Sequence, residues 1–249
     1  MGGRGADYDS GKDIPILVNG EGEKRGKPID AIDLPLAGRT QFGTGLTTTI
    51  EGTLTKLEKH DTINLNHERL HVLDSRGFVV SANEGTTGSV ALSNRTLRTA
   101  RGNVITHNHP RPDRHTHGGT FSNADLSVLA YTGAREIRAS AREGVYSLKA
   151  PSQRQAKAFS DFVTSKRGQR IVQRYMRREG ETAYRRYERA GTSKKSADRL
   201  RSEALNTQLR GMAKFQAEYA GRFGLTYTFT PAEGGKLKPL KSKVFRRTK

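Results

Sequence analysis

His107 and His109 stand two residues apart at the end of the short apolar run NVITH (103–107). On an extended strand, residues i and i+2 point to the same side, so both imidazoles can meet one ion. A polar stretch follows, and then Ser122-Asn-Ala-Asp125 opens a helical pattern. Asp125 lies one turn in from Ser122 and on the same helix face, so its carboxylate can return to the two rings. Two nitrogens and one oxygen leave a fourth position open for water, as a catalytic zinc site requires. The helix start also carries a partial positive field, which suits a developing oxyanion near Ser122. The chain has no cysteine. Any metal must therefore be held by His, Asp and Glu, and no disulfide frames the fold.

The elements around these residues follow from pattern. ERLHVLD (68–74) alternates, SRG (75–77) is a turn and FVVSAN (78–83) is a second strand, so 68–83 reads as a hairpin. A strand at 103–107 then leads into His107. Ser122 is an N-cap, and the helix it starts runs to a glycine stop at Gly133. EIRASA (136–141) and VYSLKAP (145–151) form another hairpin. This order predicts an α+β (α/β-like) fold, a mixed sheet with a flanking helix. TTTIEGTLTKL (47–57) has β-branched residues in partial alternation and reads as a strand. Residues 152–222 read as helical, broken near Gly168, Gly180 and Gly191, and 225–231 alternates like a strand. The expected organisation is an extended N-terminal arm at 1–58, a zinc domain at 59–151, a basic helical region at 152–222, and a strand with a basic tail at 223–249.

Charge separates the two ends. Of 44 Lys and Arg and 25 Asp and Glu, residues 1–150 hold 19 and 17, whereas residues 151–249 hold 25 and 8. Nearly all of the net +19 therefore sits in the last two-fifths. Such a field attracts polyanions, so nucleic acid or another polyanion is the expected partner of 151–249. Apolar residues make up 33% of the chain, too few for a compact core throughout, so part of it should be extended. No apolar run is long enough to span a bilayer, and the N-terminus lacks the apolar core of a secretory signal. A cytoplasmic location is the expectation.

THNHP followed by FSNADL resembles the H-x-H, S-x-x-D motif of the JAB/MPN (JAMM) metallopeptidase superfamily, with wording closest to its RadC-like branch. ERLHVLD and FVVSANEGTTGSV resemble the strand pair before that motif, and EGVYSLKA the closing strand; the likeness covers about 68–150. It implies a JAB/MPN-type mixed sheet with Zn2+ held by His107, His109 and Asp125. It also implies that Ser122 stabilises the tetrahedral intermediate and that Glu68 activates the metal's water, with Glu84 the rival base. The implied reaction is hydrolysis of an amide or isopeptide bond in a protein or peptide. Phage head-associated proteins sometimes carry such a domain, which adds phage head proteins as partners and a virion or host cytoplasm as location.

The sequence departs from the motif in two places. Twelve residues separate His109 from Ser122, about five more than the motif has, and they include His115 and His117. These two are read as loop residues rather than a second metal site. The segment between Val90 and Asn103 is also short for the helix that the motif places there. Two other functions compete. One is a non-enzymatic, nucleic-acid-associated or virion structural protein with a structural zinc domain. The other is a metal-dependent nuclease, which would need a His or Asn further along the helix after 122, where none stands beyond Asn123.

Overall fold

Leu54, Leu57, Glu58 and Asp61 are buried at helical spacing, and in the computed structural model the segment around them is a helix, α1 (Ile50–Asn64). The strand expected at 47–57 is thus overturned, and the 58/59 division falls inside this helix. Two of its four buried positions are carboxylates, so its inward stripe is half charged and a hydrophobic pattern cannot reveal it. The structure describes residues 28–29, 50–110, 117–189, 194–235 and 237–242.

Among the described residues, eight strands form one sheet, in the order β1 (Pro28–Ile29), β3 (Val79–Glu84), β2 (Arg69–Leu73), β4 (Val104–Asn108), β5 (Glu136–Ala141), β6 (Gly144–Lys149), β7 (Thr226–Pro231) and β8 (Leu240–Lys241). All neighbours are antiparallel except β4 and β5. A parallel pair needs a crossover, and here α3 (Asn123–Thr132) supplies it. The mixed α/β sheet with its flanking helix is as expected. The 68–83 hairpin is β2–β3, and the strands expected at 103–107, 136–141, 145–151 and 225–231 are β4, β5, β6 and β7. A seven-residue helix, α2 (Asn94–Ala100), fits between Val90 and Asn103, with the Ser93 side chain accepting from the Thr96 N–H as its cap. Among the described residues no helix is long and apolar enough to cross a membrane.

The C-terminal half packs on the same sheet. It forms α4 (Gln153–Thr164), α5 (Lys166–Arg189) and α6 (Lys194–Arg222). Leu209, Met212 and Phe215 of α6 share one core with Leu70, Ile105, Leu126, Ile137 and Tyr227. The break expected near Gly168 occurs, and the one expected near Gly180 does not. The first falls at Ser165, and both glycines lie inside α5. They serve close approach instead. A Cβ on Gly168 would meet the Phe162 carbonyl oxygen at 1.9 Å, and one on Gly180 would meet Gln208 at 2.7 Å. Gly191 lies outside the described residues.

The other sheet face is covered by α1 through a polar network. Arg138 donates to both carboxylate oxygens of Glu58, Nε to Oε1 at 2.6 Å and Nη2 to Oε2 at 3.0 Å, and to Glu136 at 3.2 Å. Thr106 adds a bond to Glu58 at 3.0 Å. Burial works against the Arg138 charge, but the Glu58 bonds and the surrounding carboxylates outweigh it and hold its pKa above the ordinary value. His71 Nε2 meets Asp61 Oδ2 at 2.7 Å with both side chains buried. Burial would raise the Asp61 pKa, but the His71 bond and charge hold it below the ordinary carboxylate value. Replacing Glu58 by Ala removes the two-point partner of a guanidinium that is 12% exposed and leaves it Glu136 and the exposed Glu51. The expected cost is about 1.5–3 kcal/mol, the loss of charge-assisted hydrogen bonds, read as a fall in the denaturant midpoint. A Glu58→Leu/Arg138→Met pair removes both charges but leaves buried Glu136 to Ser147 and Lys149, so it should recover only part of the loss.

Candidate metal centre

Strand alternation divides β4 cleanly. Val104, on the α1 face, packs with Leu54 and Leu57, and Thr106 bonds Glu58; Ile105, on the opposite face, lies in the larger core. His107 follows Ile105 on that face. His109 lies just past the strand end, but its N–H donates to the Ser140 carbonyl at 2.7 Å, which prolongs the sheet by one bond. Both rings are almost fully buried.

The three expected ligands converge. His107 Nε2 lies 3.0 Å from His109 Nε2 and 3.1 Å from Asp125 Oδ1, and His109 Nε2 lies 3.7 Å from Asp125 Oδ2. A tetrahedral ion with bonds of about 2.0–2.1 Å separates its ligand atoms by about 3.3 Å. The three contacts lie near that distance, but those to Asp125 use its two different oxygens, so a single carboxylate ligand atom would have to shift to meet both rings. His109 Nδ1 donates to the Gly119 carbonyl at 3.0 Å, which turns the Nε2 lone pair toward the cluster. A proton on His107 Nε2 can bridge these acceptors, and so can one cation; the donor set, two imidazoles and a carboxylate, suits zinc.

Asp125 is held from its own helix. Its Oδ2 accepts from the Ser122 N–H at 2.7 Å and the Ser122 Oγ–H at 2.9 Å, while Ser122 Oγ accepts from the Asp125 N–H at 3.2 Å. This reciprocal cap satisfies the first turn and leaves Oδ1 turned to His107. Burial would raise the Asp125 pKa, yet the two histidines hold it well below the usual carboxylate value.

Glu68 reaches the site through strand register. Leu70 pairs with His107 across β2 and β4 as the last pair of their ladder, and Glu68 precedes β2 at that same end. It is 6% exposed and lines the cavity that also contains His107, His109, Ser122 and Asp125. Its backbone is fixed on both sides: its N–H donates to the Thr86 carbonyl and its own carbonyl accepts from Gly85, both at 2.7 Å. Glu84 is engaged elsewhere, accepting from Arg69 Nε at 2.6 Å and contacting His67, and it does not line the cavity. His117 lies beside α6, its N–H donating to Asn206 Oδ1 at 2.7 Å, and it is not one of the three converging ligands. His115 is outside the described residues.

Several supporting residues have no signal in the sequence pattern around the motif. Asn108, between the two histidines, donates from Nδ2 to the His67 carbonyl at 2.9 Å and accepts from the Arg69 N–H at 2.6 Å, so it brackets Glu68. Buried Glu143 accepts from the N–H groups of Gly118 at 3.1 Å and Gly119 at 2.8 Å. The same two-residue turn presents the carbonyl that orients His109. A Cβ on Gly118 would lie 2.7 Å from the His109 Cβ, so no other residue fits there without moving the ligand. The His117-Gly-Gly run is the one local hint of this turn, and nothing nearby in sequence points to Glu143. Gln216 of α6 donates to the Phe121 carbonyl and accepts from Thr120, both at 2.7 Å, tying α6 to the chain just ahead of Ser122.

No family model, curated protein or solved structure matches this chain.

Proposed function

We propose that the protein is a zinc-dependent hydrolase of the JAMM type that cleaves an amide or isopeptide bond. The observation that carries this reading is a single cavity lined by the His107, His109 and Asp125 cluster together with Glu68 and Ser122. His107, His109 and Asp125 would hold the ion. Bound there, zinc would make water acidic enough to attack at neutral pH and would polarise the scissile carbonyl. Glu68, which lines the same cavity, would take a proton from the attacking water and return it to the leaving amine. The test is metal content of the purified full chain, followed by turnover of peptide and isopeptide substrates with and without chelator. A chain that retains no zinc, or turnover indifferent to chelator, would overturn it.

Ser122 has a more demanding role in this scheme. Its proton now serves Asp125 Oδ2, so it must rotate to donate to an oxyanion. Ser122→Ala is expected to keep the metal and lower kcat by about 10²–10³-fold. A loss confined to about 1 kcal/mol of stability would leave it as a helix cap alone.

A second reading, in which the protein is a polyanion-bound or virion component, is favoured by α5. Lys166, Arg170, Arg174 and Arg177 recur every three or four residues and are all exposed, a basic stripe on a helix about 36 Å long. This stripe is compatible with hydrolysis, and nucleic acid is the partner we propose for it. Duplex DNA should bind with little sequence preference and weaken steeply with salt. Replacing Arg170 and Arg174 by Gln should flatten the salt slope by about 0.9 for each phosphate that is no longer neutralised. An unchanged slope would place the DNA on another surface.

A further inference from the structure

The cavity at the metal centre is chemically divided. The histidines, Asp125 and Glu68 form one end. The rest is lined mainly by Leu70 of β2, Ile137 of β5, Val128 of α3, and Leu209 and Met212 of α6, with Ser89, Thr120 and Asn123 as uncharged polar neighbours. Val128 follows Asp125 by three residues, so the apolar wall begins one helical turn from a ligand. Leu209 and Met212, also three apart, present one face of α6 to the same space. Leu70, Ile137, Leu209 and Met212 are almost fully buried, so they form a floor rather than an exposed patch. Among the described residues no lysine or arginine lines the cavity, so its described walls favour an uncharged group over an anionic one. The whole cavity, cluster end included, measures about 160 Å³, against ~150 Å³ for a cavity that accepts one benzene molecule, so it holds no more than one side chain.

We propose that this apolar end is a specificity pocket for one uncharged substrate side chain of leucine to phenylalanine size, beside the scissile bond. The inference rests on the hydrolase reading and adds a substrate class to it. Glycine would leave the pocket unfilled, and an aspartate would lose its hydration against the apolar walls.

The test is binding, not turnover. Hydroxamates chelate zinc and can carry different side chains. Calorimetry on the zinc-loaded full chain compares acetohydroxamate with its isobutyl, benzyl and carboxyethyl analogues. The isobutyl and benzyl compounds should bind at least ~10-fold more tightly than acetohydroxamate, and the carboxyethyl compound should show no gain. Val128→Phe fills the pocket and should bring the first two back to the acetohydroxamate level with zinc still bound. Met212→Ala enlarges the floor and should move the preference from isobutyl to benzyl, which keeps the proposal testable if the first variant misfolds. Equal affinity for all four compounds on zinc-loaded protein overturns the pocket and leaves the hydrolase reading intact. Failure of the chain to hold zinc or bind acetohydroxamate overturns the hydrolase reading, and the pocket with it.

Discussion

His109→Ala is expected to abolish stoichiometric zinc binding and every zinc-dependent activity together. Only two donors, His107 Nε2 and Asp125 Oδ1, would remain 3.1 Å apart, too few for a stable site of the three-ligand class. The effect should also appear in stability. A ligand that binds only the folded chain adds about 4 kcal/mol when present at a thousandfold excess over its Kd. Added zinc should therefore raise the wild-type Tm and chelator should reverse the rise, whereas the variant should respond to neither. His117→Ala provides the contrast. That residue packs beside α6 and is not one of the three converging ligands, so zinc content should not change. If His109→Ala binds zinc like the wild type, the convergence of the two rings reflects a proton-bridged polar cluster and nothing more.

The residues expected to hold the metal are legible in the sequence because each depends on local rules. Strand alternation aims His107 and His109 together, and the capping chemistry of Ser122 and Asp125 announces a helix start and aims a carboxylate. The hairpin of β2 and β3 is legible for the same reason. What is not legible depends on partners distant in sequence. The inward face of α1 includes Glu58 and Asp61, and the burial of Glu58 makes sense only with Arg138, 80 residues later. Read without that partner, the segment shows only its β-branched residues. Gly180 of α5 misleads in the opposite direction: glycine weakens a helix in isolation, but here it permits close approach to Gln208 of α6. The Glu143 clamp on Gly118 and Gly119 joins residues 24 and 25 apart and has no periodic signature at all.

Glu68→Gln is expected to retain zinc and lose about 10²–10⁴-fold in kcat, the usual contribution of a positioned general base. The substitution preserves size. The backbone bonds to Thr86 and Gly85 and the Asn108 bracket around residue 68 do not involve the carboxylate, so they should persist. What disappears is the ability to accept a proton. That separates the effect from loss of His109, where metal and activity fall together, and from Ser122→Ala, where a stability change accompanies any kinetic one. Asn108→Ala probes the same step from a distance. It leaves the carboxylate but releases the strand end that carries it, so kcat should fall less and the basic group should still appear in the pH–rate profile. Glu84→Gln should change kcat little, because Glu84 is tied to Arg69 and His67 outside the cavity. The decisive measurement is single-turnover cleavage of one peptide substrate by the zinc-loaded wild type, Glu68→Gln and Glu84→Gln. Equal rates for wild type and Glu68→Gln would remove Glu68 as the base, and a loss in Glu84→Gln instead would require that carboxylate to leave Arg69 and turn into the cavity.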